Sequence, residues 1–553
     1  MSTKHEIAAS PWRAFIEGGF HANSVRKTTM AELYKLATKQ PEVVVTSHPM
    51  HKPEQFKLPK GAMVLISNDG GIVGRTARAR RLVREMGKDR DKYLGLLGEA
   101  LYNFNRRPGL WLEGIVGLHP DFMVKAHLLS PETDAKNMLD WGINFSPWMK
   151  PWTDLYRKSR QLDEPDILVF ADPEWSNSDF PNGLVIIDEA QNCIAILGLR
   201  YFGERKKGTL TLAWTMGVRQ NMVACHGGIK KIGNKQPLAF FGLSGSGKSS
   251  LTNSHDHGGT LKKSEKVTVI HDDAFLIDLE HNYTIALEPS LFDKTDAVGF
   301  DDPVIKYFFS AQNVGTTMLP DGKVKMVCED IRNDNGRCLK SRDMFNHKDH
   351  CERPGKVVWL QKDTSIPPIC RVNDVALAVA MGASLSTLRA RGVENVDARE
   401  LEKLVIEPFA NPFRVHPLTV DCLQFLKLFK LGTECYIMNT HAFGLPSGLI
   451  DIPKEISLKI VTELNRGTIE WRDWKAFAGL SLPKNGNELF GPDYEKKYKP
   501  TRTPDYLNFL RERMQDRITF LSNKRDLDSD MENTFIDPLV LARKVIDEIL
   551  NPI

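Results

Sequence analysis

Cysteine is scarce in this sequence, and the cysteines that occur do not form a recognisable motif. There are eight in 553 residues, and no CxxC spacing is present. This excludes a disulfide-dense secreted fold, a zinc ribbon and a thioredoxin-like redox motif. No run approaches the roughly 18 apolar residues of a membrane-spanning helix. The N-terminal residues also lack the apolar segment of a secretory signal. We therefore expect a cytoplasmic protein with no membrane partner.

An excess of charge of one sign is also missing. Lysine and arginine total 74, aspartate and glutamate total 70, and the formal net charge is +4. Such a balance gives no general electrostatic case for binding nucleic acid or an anionic membrane. The hydrophobic fraction of 41% is ordinary for a globular protein, and the length exceeds what one core usually serves. Composition thus predicts a folded chain of two or three domains.

The strongest local signal is a glycine-rich loop between an apolar strand and a helix-forming segment. Residues 242–250 read Gly-Leu-Ser-Gly-Ser-Gly-Lys-Ser-Ser and satisfy G-x-x-x-x-G-K-[ST]. In such a loop the backbone N–H groups converge on phosphate oxygens at a helix N-terminus. Lys248 would bridge the β- and γ-phosphates, and Ser249 would offer its hydroxyl to Mg²⁺. The predicted nucleotide-binding residues are Gly242, Leu243, Ser244, Gly245, Ser246, Gly247, Lys248, Ser249 and Ser250.

Two adjacent carboxylates follow at the end of the next strong apolar run. Residues 267–270 are Val-Thr-Val-Ile, and Asp272 and Asp273 come after them. Ligands collect at strand ends in open α/β sheets, and neighbouring carboxylates repel unless a cation or donor offsets them. The loop and this pair together predict nucleotide-dependent phosphoryl transfer or hydrolysis.

A polar segment that carries glycine and proline, residues 229–237, indicates a domain boundary. Strand-like runs precede it at 62–67, 166–170, 183–188 and 195–198, and others follow at 238–241, 267–270 and 435–438. The pattern predicts an α/β fold with an N-terminal domain over 1–232 and a larger P-loop domain over 233–553.

Several motifs in one order resemble those of ATP-dependent phosphoenolpyruvate carboxykinases. The loop at 242–250 is similar to the family's G-L-S-G-T-G-K-T-T, whereas the GTP-dependent branch carries a cysteine-containing loop. Residues 201–208 resemble Y-G-G-E-M-K-K-G. The further matches are His226 with M-H-C, residues 271–273 with G-D-D, residues 68–75 with D-T-G-I-F-T-G-R, and Arg332 near E-N-T-R.

The resemblance implies a two-domain fold, with residues 1–232 binding substrate, and the conversion of oxaloacetate and ATP to phosphoenolpyruvate, CO₂ and ADP. It implies that a transition metal, usually Mn²⁺, is held by Lys207, His226 and Asp273, with Lys207 neutral because an ammonium has no lone pair. The implied catalytic residues are Arg75, Lys207, Lys248, Asp272 and Arg332. The implied substrate contacts are Arg75, Tyr201, Gly203, Lys207, Ser244 and Arg332.

Some segments depart from the family pattern. After Arg75 the family's S-P-K-D-K is replaced, and the arginine run from Arg78 to Arg84 could form a helix face, a phosphate-rich substrate site or a nucleic-acid patch. Residues 379–387 occupy the place of the family's mobile lid but match it poorly. Residues 445–451 lack the basic residue that the family uses near the nucleotide, which leaves base recognition open.

Two histidine groups also leave alternatives open. His255 and His257 could form an accessory metal site or a loop tip. The H-x-x-H-C pattern at 347–351 could bind zinc, although no matching ligand set follows it.

Two other functions compete with the carboxykinase. One is a kinase on the same scaffold that phosphorylates a different small-molecule or protein hydroxyl, which the altered lid favours. The other is a non-catalytic ATP-binding regulator, against which the intact Lys248, Ser249 and Asp273 argue. We also expect the basic residues at 75–84, 205–207 and 248 to converge on one anionic cleft.

Overall fold

The computed structural model is a mixed α/β protein with several β-sheets, which confirms the predicted fold class at that level. It describes residues 10–68, 79–243, 245–295, 298–299, 301–328, 336–388 and 404–551. The helices, in chain order, are α1 (Pro11–Phe20), α2 (Met30–Ala37), α3 (Arg90–Phe104), α4 (Ala135–Asn144), α5 (Trp152–Arg157), α6 (Phe202–Arg219), α7 (Lys248–Asn253), α8 (Val375–Ala383), α9 (Leu418–Lys430), α10 (Lys454–Arg466), α11 (Gly486–Phe490), α12 (Tyr494–Tyr498), α13 (Pro504–Ser522) and α14 (Ser529–Leu550).

A seven-stranded sheet organises the N-terminal part of the chain. Its strands, in spatial order, are β1 (Val25–Lys27), β5 (Gly109–His119), β6 (Phe122–Pro131), β7 (Ile167–Asp172), β9 (Cys193–Leu197), β8 (Leu184–Asp188) and β4 (Arg80–Leu82). Alternate side chains of β7 enter two different cores: Val169 packs with residues of α4 and α6, and Phe170 packs with α1 and α3. Because both faces are covered, the central strands are continuous apolar runs.

An eight-stranded sheet organises the C-terminal part and carries the glycine-rich loop. Its strands, in spatial order, are β13 (Val267–His271), β11 (Gly228–Ile232), β12 (Leu238–Phe241), β22 (Lys356–Gln361), β26 (Glu434–Asn439), β23 (Ile369–Val372), β30 (Leu480–Pro483) and β29 (Trp471–Asp473). β12 lies between antiparallel β11 and parallel β22, and its four residues are buried. The loop therefore starts from a fixed strand.

Two further sheets have four and five strands. One has four strands, namely β10 (Met222–His226), β14 (Ala274–Asp278), β15 (Tyr283–Ala286) and β21 (His350–Glu352). The other has five, namely β16 (Ser290–Lys294), β20 (Arg337–Ser341), β17 (Phe308–Gln312), β3 (Met63–Ser67) and β2 (Val43–Pro49). The five-stranded sheet joins strands from both sides of residue 232, so the two parts share a layer. The division of the chain at that residue stays a prediction.

Three two-stranded ladders complete the described strands. They are β18 (Thr316–Met318) with β19 (Val324–Met326), β24 (Ser386–Leu388) with β25 (Leu404–Ile406), and β27 (Ala442–Phe443) with β28 (Ile450–Asp451).

Two segments that depart from the family pattern have a defined structure. Residues 379–387, which match the family's lid poorly, end the apolar helix α8, begin β24 and are all buried. The helix-face alternative does not hold for Arg80 and Arg81, since residues 80–82 form β4 at the edge of the seven-stranded sheet. In both segments the secondary structure is set by packing against the rest of the fold and not by local composition.

The environment of the cysteines and the apolarity of the helices can be stated from the structure. All eight cysteines are buried and free. Within the described ranges, no helix is both long and apolar enough to cross a bilayer.

Candidate functional site

The glycine-rich loop connects β12 to α7, and the helix begins at Lys248. Gly245 and Gly247 have φ values of +83° and +87°, which a residue with a Cβ rarely adopts. Thr440 braces the loop by donating its hydroxyl to the carbonyl of Ser246 at 2.7 Å. Ser246 is buried, whereas the Lys248 side chain keeps 11% of its surface exposed. The loop is thus held in shape while its lysine remains accessible.

Three of the predicted site residues meet at one carboxylate, that of Asp273. Lys207 Nζ donates to both carboxylate oxygens at 2.8 Å, and His226 Nε2 lies 3.1 Å from Oδ1. Lys248 Nζ lies 3.6 Å from the same Oδ1. The fold explains this convergence, because β10 pairs with β14 and sets His226 opposite Ala274, next to Asp273. α6 supplies Lys207 from its first two turns.

Two further charged residues complete this cluster: Lys206, which belongs to the basic group at 205–207, and Glu288, which the sequence did not single out. Lys206 is fully buried, forms an ion pair with Asp273, and lies 3.3 Å from Glu288 Oε1. Glu288 is also fully buried and accepts a hydrogen bond of 2.5 Å from Asn144 Nδ2. Adjacent helical residues normally face different directions, so a contact of both Lys206 and Lys207 with one carboxylate was not predictable from their spacing.

The cluster shifts the pKa values of its members in opposite directions. Burial alone would raise the pKa of Asp273, but the lysines, Lys206 first, hold that pKa well below its usual value. Burial lowers the pKa of Lys207 to about 8 against the attraction of Asp273, and the like charge of Lys206 adds to this effect. Burial would also lower the pKa of Lys206, yet Asp273 and Glu288 raise it. Lys206 is therefore the permanent cation, and Lys207 is the amine that can become neutral.

The state of His226 tests whether this cluster fits a transition metal. Its Nδ1 lies 2.6 Å from the carbonyl of Ala410, so Nδ1 carries the proton and donates. Burial, with the charges of Lys207 and Lys248, lowers the pKa of His226 to about 4. Neutral His226 then presents an Nε2 lone pair towards Asp273, which is another acceptor. Two acceptors that face each other favour a cation between them, and an imidazole oriented by a carbonyl is a common metal ligand. The residues fit a transition metal.

A second arrangement beside Lys248 fits Mg²⁺. Asp272 is buried and accepts a hydrogen bond of 2.8 Å from Asn253 Nδ2, and the neighbouring Ser249 hydroxyl acts to lower its pKa. Its Oδ1 is shielded from solvent and has no hydrogen-bond partner. Burial raises the pKa of Asp272 to about 6, although Lys248 opposes this. A carboxylate oxygen and a hydroxyl are ligands that Mg²⁺ accepts. Across the described residues, no group of three or more His, Cys, Asp and Glu side chains could hold a metal by itself.

Tyr201 and Gly203 form a fixed wall at the start of α6. Tyr201 is 4% exposed, and a Cβ on Gly203 would meet its ring carbon Cε1 at 2.2 Å. Only glycine allows this close approach. Burial raises the pKa of the Tyr201 hydroxyl, and the positive charge of Arg337 opposes this. The predicted residues Arg75, Ser244 and Arg332, and Arg78 of the arginine run, lie outside the described residues.

The remaining histidine predictions do not produce metal sites. His257 is buried, which makes a loop tip wrong for it, and its Nε2 lies 2.7 Å from Lys230 Nζ. His350 faces the ring of His119 at 4.9 Å, while Cys351 is buried beside Thr284. Each of these side chains has a protein neighbour in place of a shared ligand position.

Comparison with known proteins identifies the family. A family model described as phosphoenolpyruvate carboxykinase matches residues 156–488. The chain belongs to this family. The match includes Lys207, His226, the glycine-rich loop and Asp273, so the cluster lies inside the shared region.

Named relatives are similar to this chain at low identity. The glycosomal phosphoenolpyruvate carboxykinase (ATP) of Trypanosoma brucei brucei is 25% identical over 346 residues, which cover 58% of this chain and 69% of that protein. The phosphoenolpyruvate carboxykinase (ATP) of Emericella nidulans is 24% identical over 358 residues, covering 59% of this chain and 56% of that protein. The Staphylococcus aureus strain Newman protein of the same name is 25% identical over 425 residues, covering 71% of this chain and 74% of its own length. This chain thus spans less than two thirds of the Emericella relative.

Proposed function

We propose that this protein converts oxaloacetate and ATP to phosphoenolpyruvate, CO₂ and ADP, with Mg²⁺ at the nucleotide and Mn²⁺ at the substrate. The observation that carries the proposal is the approach of Lys207 and His226 to Asp273, at 2.8 and 3.1 Å, beside the lysine of the glycine-rich loop. Family membership and the names of the relatives support the same reaction.

Lys207, His226 and Asp273 would hold Mn²⁺, and Ser249 with Asp272 would hold Mg²⁺. When bound, the transition metal supplies Lewis-acid stabilisation of the negative charge that decarboxylation leaves on the substrate. The protein's own part is to keep a neutral amine available. Lys206 makes this possible, because its permanent charge offsets carboxylates that would otherwise hold a proton on Lys207.

The bond changes assign work to the other residues. Loss of CO₂ breaks a carbon–carbon bond and leaves its electron pair in an enolate, whose oxygen then attacks the γ-phosphorus while ADP leaves. Lys248 lies at the end of the loop, 3.6 Å from Asp273. It can therefore stay close to the γ-phosphoryl group while that group is transferred to the enolate. Tyr201 offers a rigid contact for the substrate. Arg75 and Arg332 would orient its carboxylate and phosphoryl oxygens.

Simple phosphorylation of a hydroxyl is less well supported. Such a kinase needs Mg²⁺ at the nucleotide and a residue that positions the acceptor, which the loop and Asp272 could serve. It has no use for a second centre built from an amine, an imidazole and a carboxylate. Burying the charged groups of that centre costs free energy. This cost is better explained by a reaction that develops negative charge on the substrate before phosphoryl transfer.

The same proposal includes the roles of the two domains, the cellular location and the partners. Residues 1–232 would bind the substrate and residues 233–553 would bind the nucleotide through the P-loop. The cytoplasm would be the place of action. The physiological partners would be small molecules and the nucleotide, with no nucleic acid.

The decisive experiment supplies oxaloacetate, ATP, Mg²⁺ and Mn²⁺ and follows phosphoenolpyruvate directly. We expect product from the wild-type protein and from Lys158→Ala, which changes an exposed lysine outside the cluster. Lys207→Ala should bind ATP and form no product. If the wild-type protein hydrolyses ATP or labels another acceptor without making phosphoenolpyruvate, the proposal is wrong.

A further inference from the structure

Arg80, Arg81 and Arg84 of the arginine run do not join the lysines at Asp273 and instead line a separate cavity of about 490 Å³. Arg80, Arg81 and Arg84 approach it from β4 and the residues after it, and Arg414 and Asp526 approach it from the C-terminal part. None of the Asp273 cluster is among its described lining residues. Of the residues expected to share one cleft, Lys206, Lys207 and Lys248 meet at Asp273, whereas Arg80, Arg81 and Arg84 do not join them. Arg205 also takes no part in such a cleft, since it is buried in an ion pair with Asp134 at 2.7 Å.

The arginines around this cavity differ in what neutralises them. Arg84 pairs with Glu189 at 2.9 Å, and Arg414 pairs with Asp526 at 2.7 Å. Arg80 has no ion pair among the described residues, and its Nε is shielded from solvent without a hydrogen-bond partner. One guanidinium is thus left facing a polar cavity without a counter-charge in contact.

An uncompensated cation of this kind is costly to keep. Arg80 is half-buried, and its Nε is removed from water without an acceptor, which is unfavourable because folded proteins rarely leave shielded polar groups unpaired. Burial lowers the pKa of Arg80 and the like charge of Arg414 adds to this, while Glu204 and Glu407 attract it from beyond ion-pair distance. An anionic ligand that enters the cavity would supply the missing acceptors.

We propose that this cavity binds a small anion that carries phosphate or carboxylate groups, with Arg80 as its principal contact. The volume lies within the range of about 300–1,000 Å³ that is usual for small-molecule pockets. A planar guanidinium can hold two oxygens of either group at once. A nucleic-acid patch fits the geometry less well, because duplex phosphates are reached by exposed side chains and Arg80 lies inside a concavity. The proposal does not depend on the carboxykinase reaction.

Binding is tested with inorganic phosphate and with citrate as separate probes, by calorimetry and by thermal unfolding. Sodium chloride at matched ionic strength controls for screening. Arg80→Met removes the charge and keeps most of the volume, and Arg106→Met makes the same change at an exposed arginine outside the cavity. We expect at least one probe to bind the wild type and Arg106→Met alike. Arg80→Met should weaken that probe at least ten-fold, and should be no less stable than the wild type without a probe.

Lys248→Ala separates this cavity from the nucleotide loop, and a probe bound in the cavity should still bind that variant. A further measurement uses only the wild-type protein, so it does not depend on the folding of any variant. Modification of Arg80 by phenylglyoxal, followed by peptide mass spectrometry, should slow at least five-fold with the bound probe, while Arg106 should be modified at an unchanged rate. The proposal is overturned if neither probe binds, if Arg80→Met binds like the wild type, if Lys248→Ala abolishes binding, or if Arg80 is not protected.

Discussion

Replacement of Lys206 by methionine gives the sharpest test of how the Asp273 cluster works. Lys206 lies 3.3 Å from Glu288, and both are fully buried. At an effective dielectric constant of about 20, unit charges at this separation attract by about 5 kcal/mol. Measured losses on breaking one partner of a buried pair are about 3–5 kcal/mol. We expect Lys206→Met to lower the free energy of unfolding by about that amount.

The same substitution should act on the metal through Lys207. Lys206 is a like charge that helps to lower the pKa of Lys207. Without it that pKa rises, and each ten-fold loss of the neutral amine costs about 1.4 kcal/mol of metal binding. We therefore expect Mn²⁺ affinity near neutral pH to fall by roughly ten-fold or more, and to recover as the pH rises and Lys207 loses its proton.

The assays are denaturant unfolding and Mn²⁺ titration by electron paramagnetic resonance, with Lys158→Met as the exposed control. The double variant Lys206→Met/Glu288→Gln removes one charge of each sign and should recover part of the lost stability. If Lys206→Met is as stable as the wild type and binds Mn²⁺ equally well at every pH, the charge reasoning is refuted. Strict additivity in the double variant would show that Glu288 is not the partner that matters.

Three other predictions address separate parts of the molecule. His226→Ala should abolish Mn²⁺ stimulation while ATP binding survives; unchanged Mn²⁺ dependence would contradict the ligand assignment. Arg517→Met should cost about 3–5 kcal/mol in denaturant unfolding, because it removes the 3.0 Å partner of Asp363 within a pair whose side chains are both 0% exposed, and leaves only Arg513 at 4.0 Å; a loss below about 1 kcal/mol would contradict this. Asp272→Asn should stabilise the protein more at pH 8 than at pH 5, since a carboxyl whose pKa is raised to about 6 loses folding stability as pH rises through that value; a gain independent of pH would show that the ionised form is not penalised.

Local patterns predicted much of the fold. The apolar runs at 166–170, 183–188 and 195–198 became β7, β8 and β9, and the loop at 242–250 lies between a strand and a helix as expected. Each of these depends on side-chain period and on glycine, which the sequence displays directly. The pairing of strands β2 and β3 with β17, β20 and β16 was not predictable, because no local signal indicates that residues near 65 lie beside residues near 311.

The candidate site was predictable only where its residues fall in motifs. Lys207, His226, Lys248 and Asp273 were found because each lies in a short pattern, and the structure brings these four together. Glu288 lies in no such pattern, and only the fold shows that it shares a buried lysine with Asp273. Electrostatic partners of this kind depend on distances across the fold, to which sequence spacing gives no guide.

Two cations of this protein, the buried Lys206 and the half-buried Arg80, differ in what neutralises them, and this difference bears on function. Lys206 has two carboxylates for one charge, so its neutralisation is complete without a ligand and its effect falls on the protonation of its neighbour Lys207. Among the described residues Arg80 has no carboxylate in contact, so we expect a ligand to supply its counter-charge. Replacing the first cation should therefore destabilise the free protein, whereas replacing the second should not. If both substitutions destabilise the free protein equally, Arg80 has a structural partner and the cavity has no need of an anion.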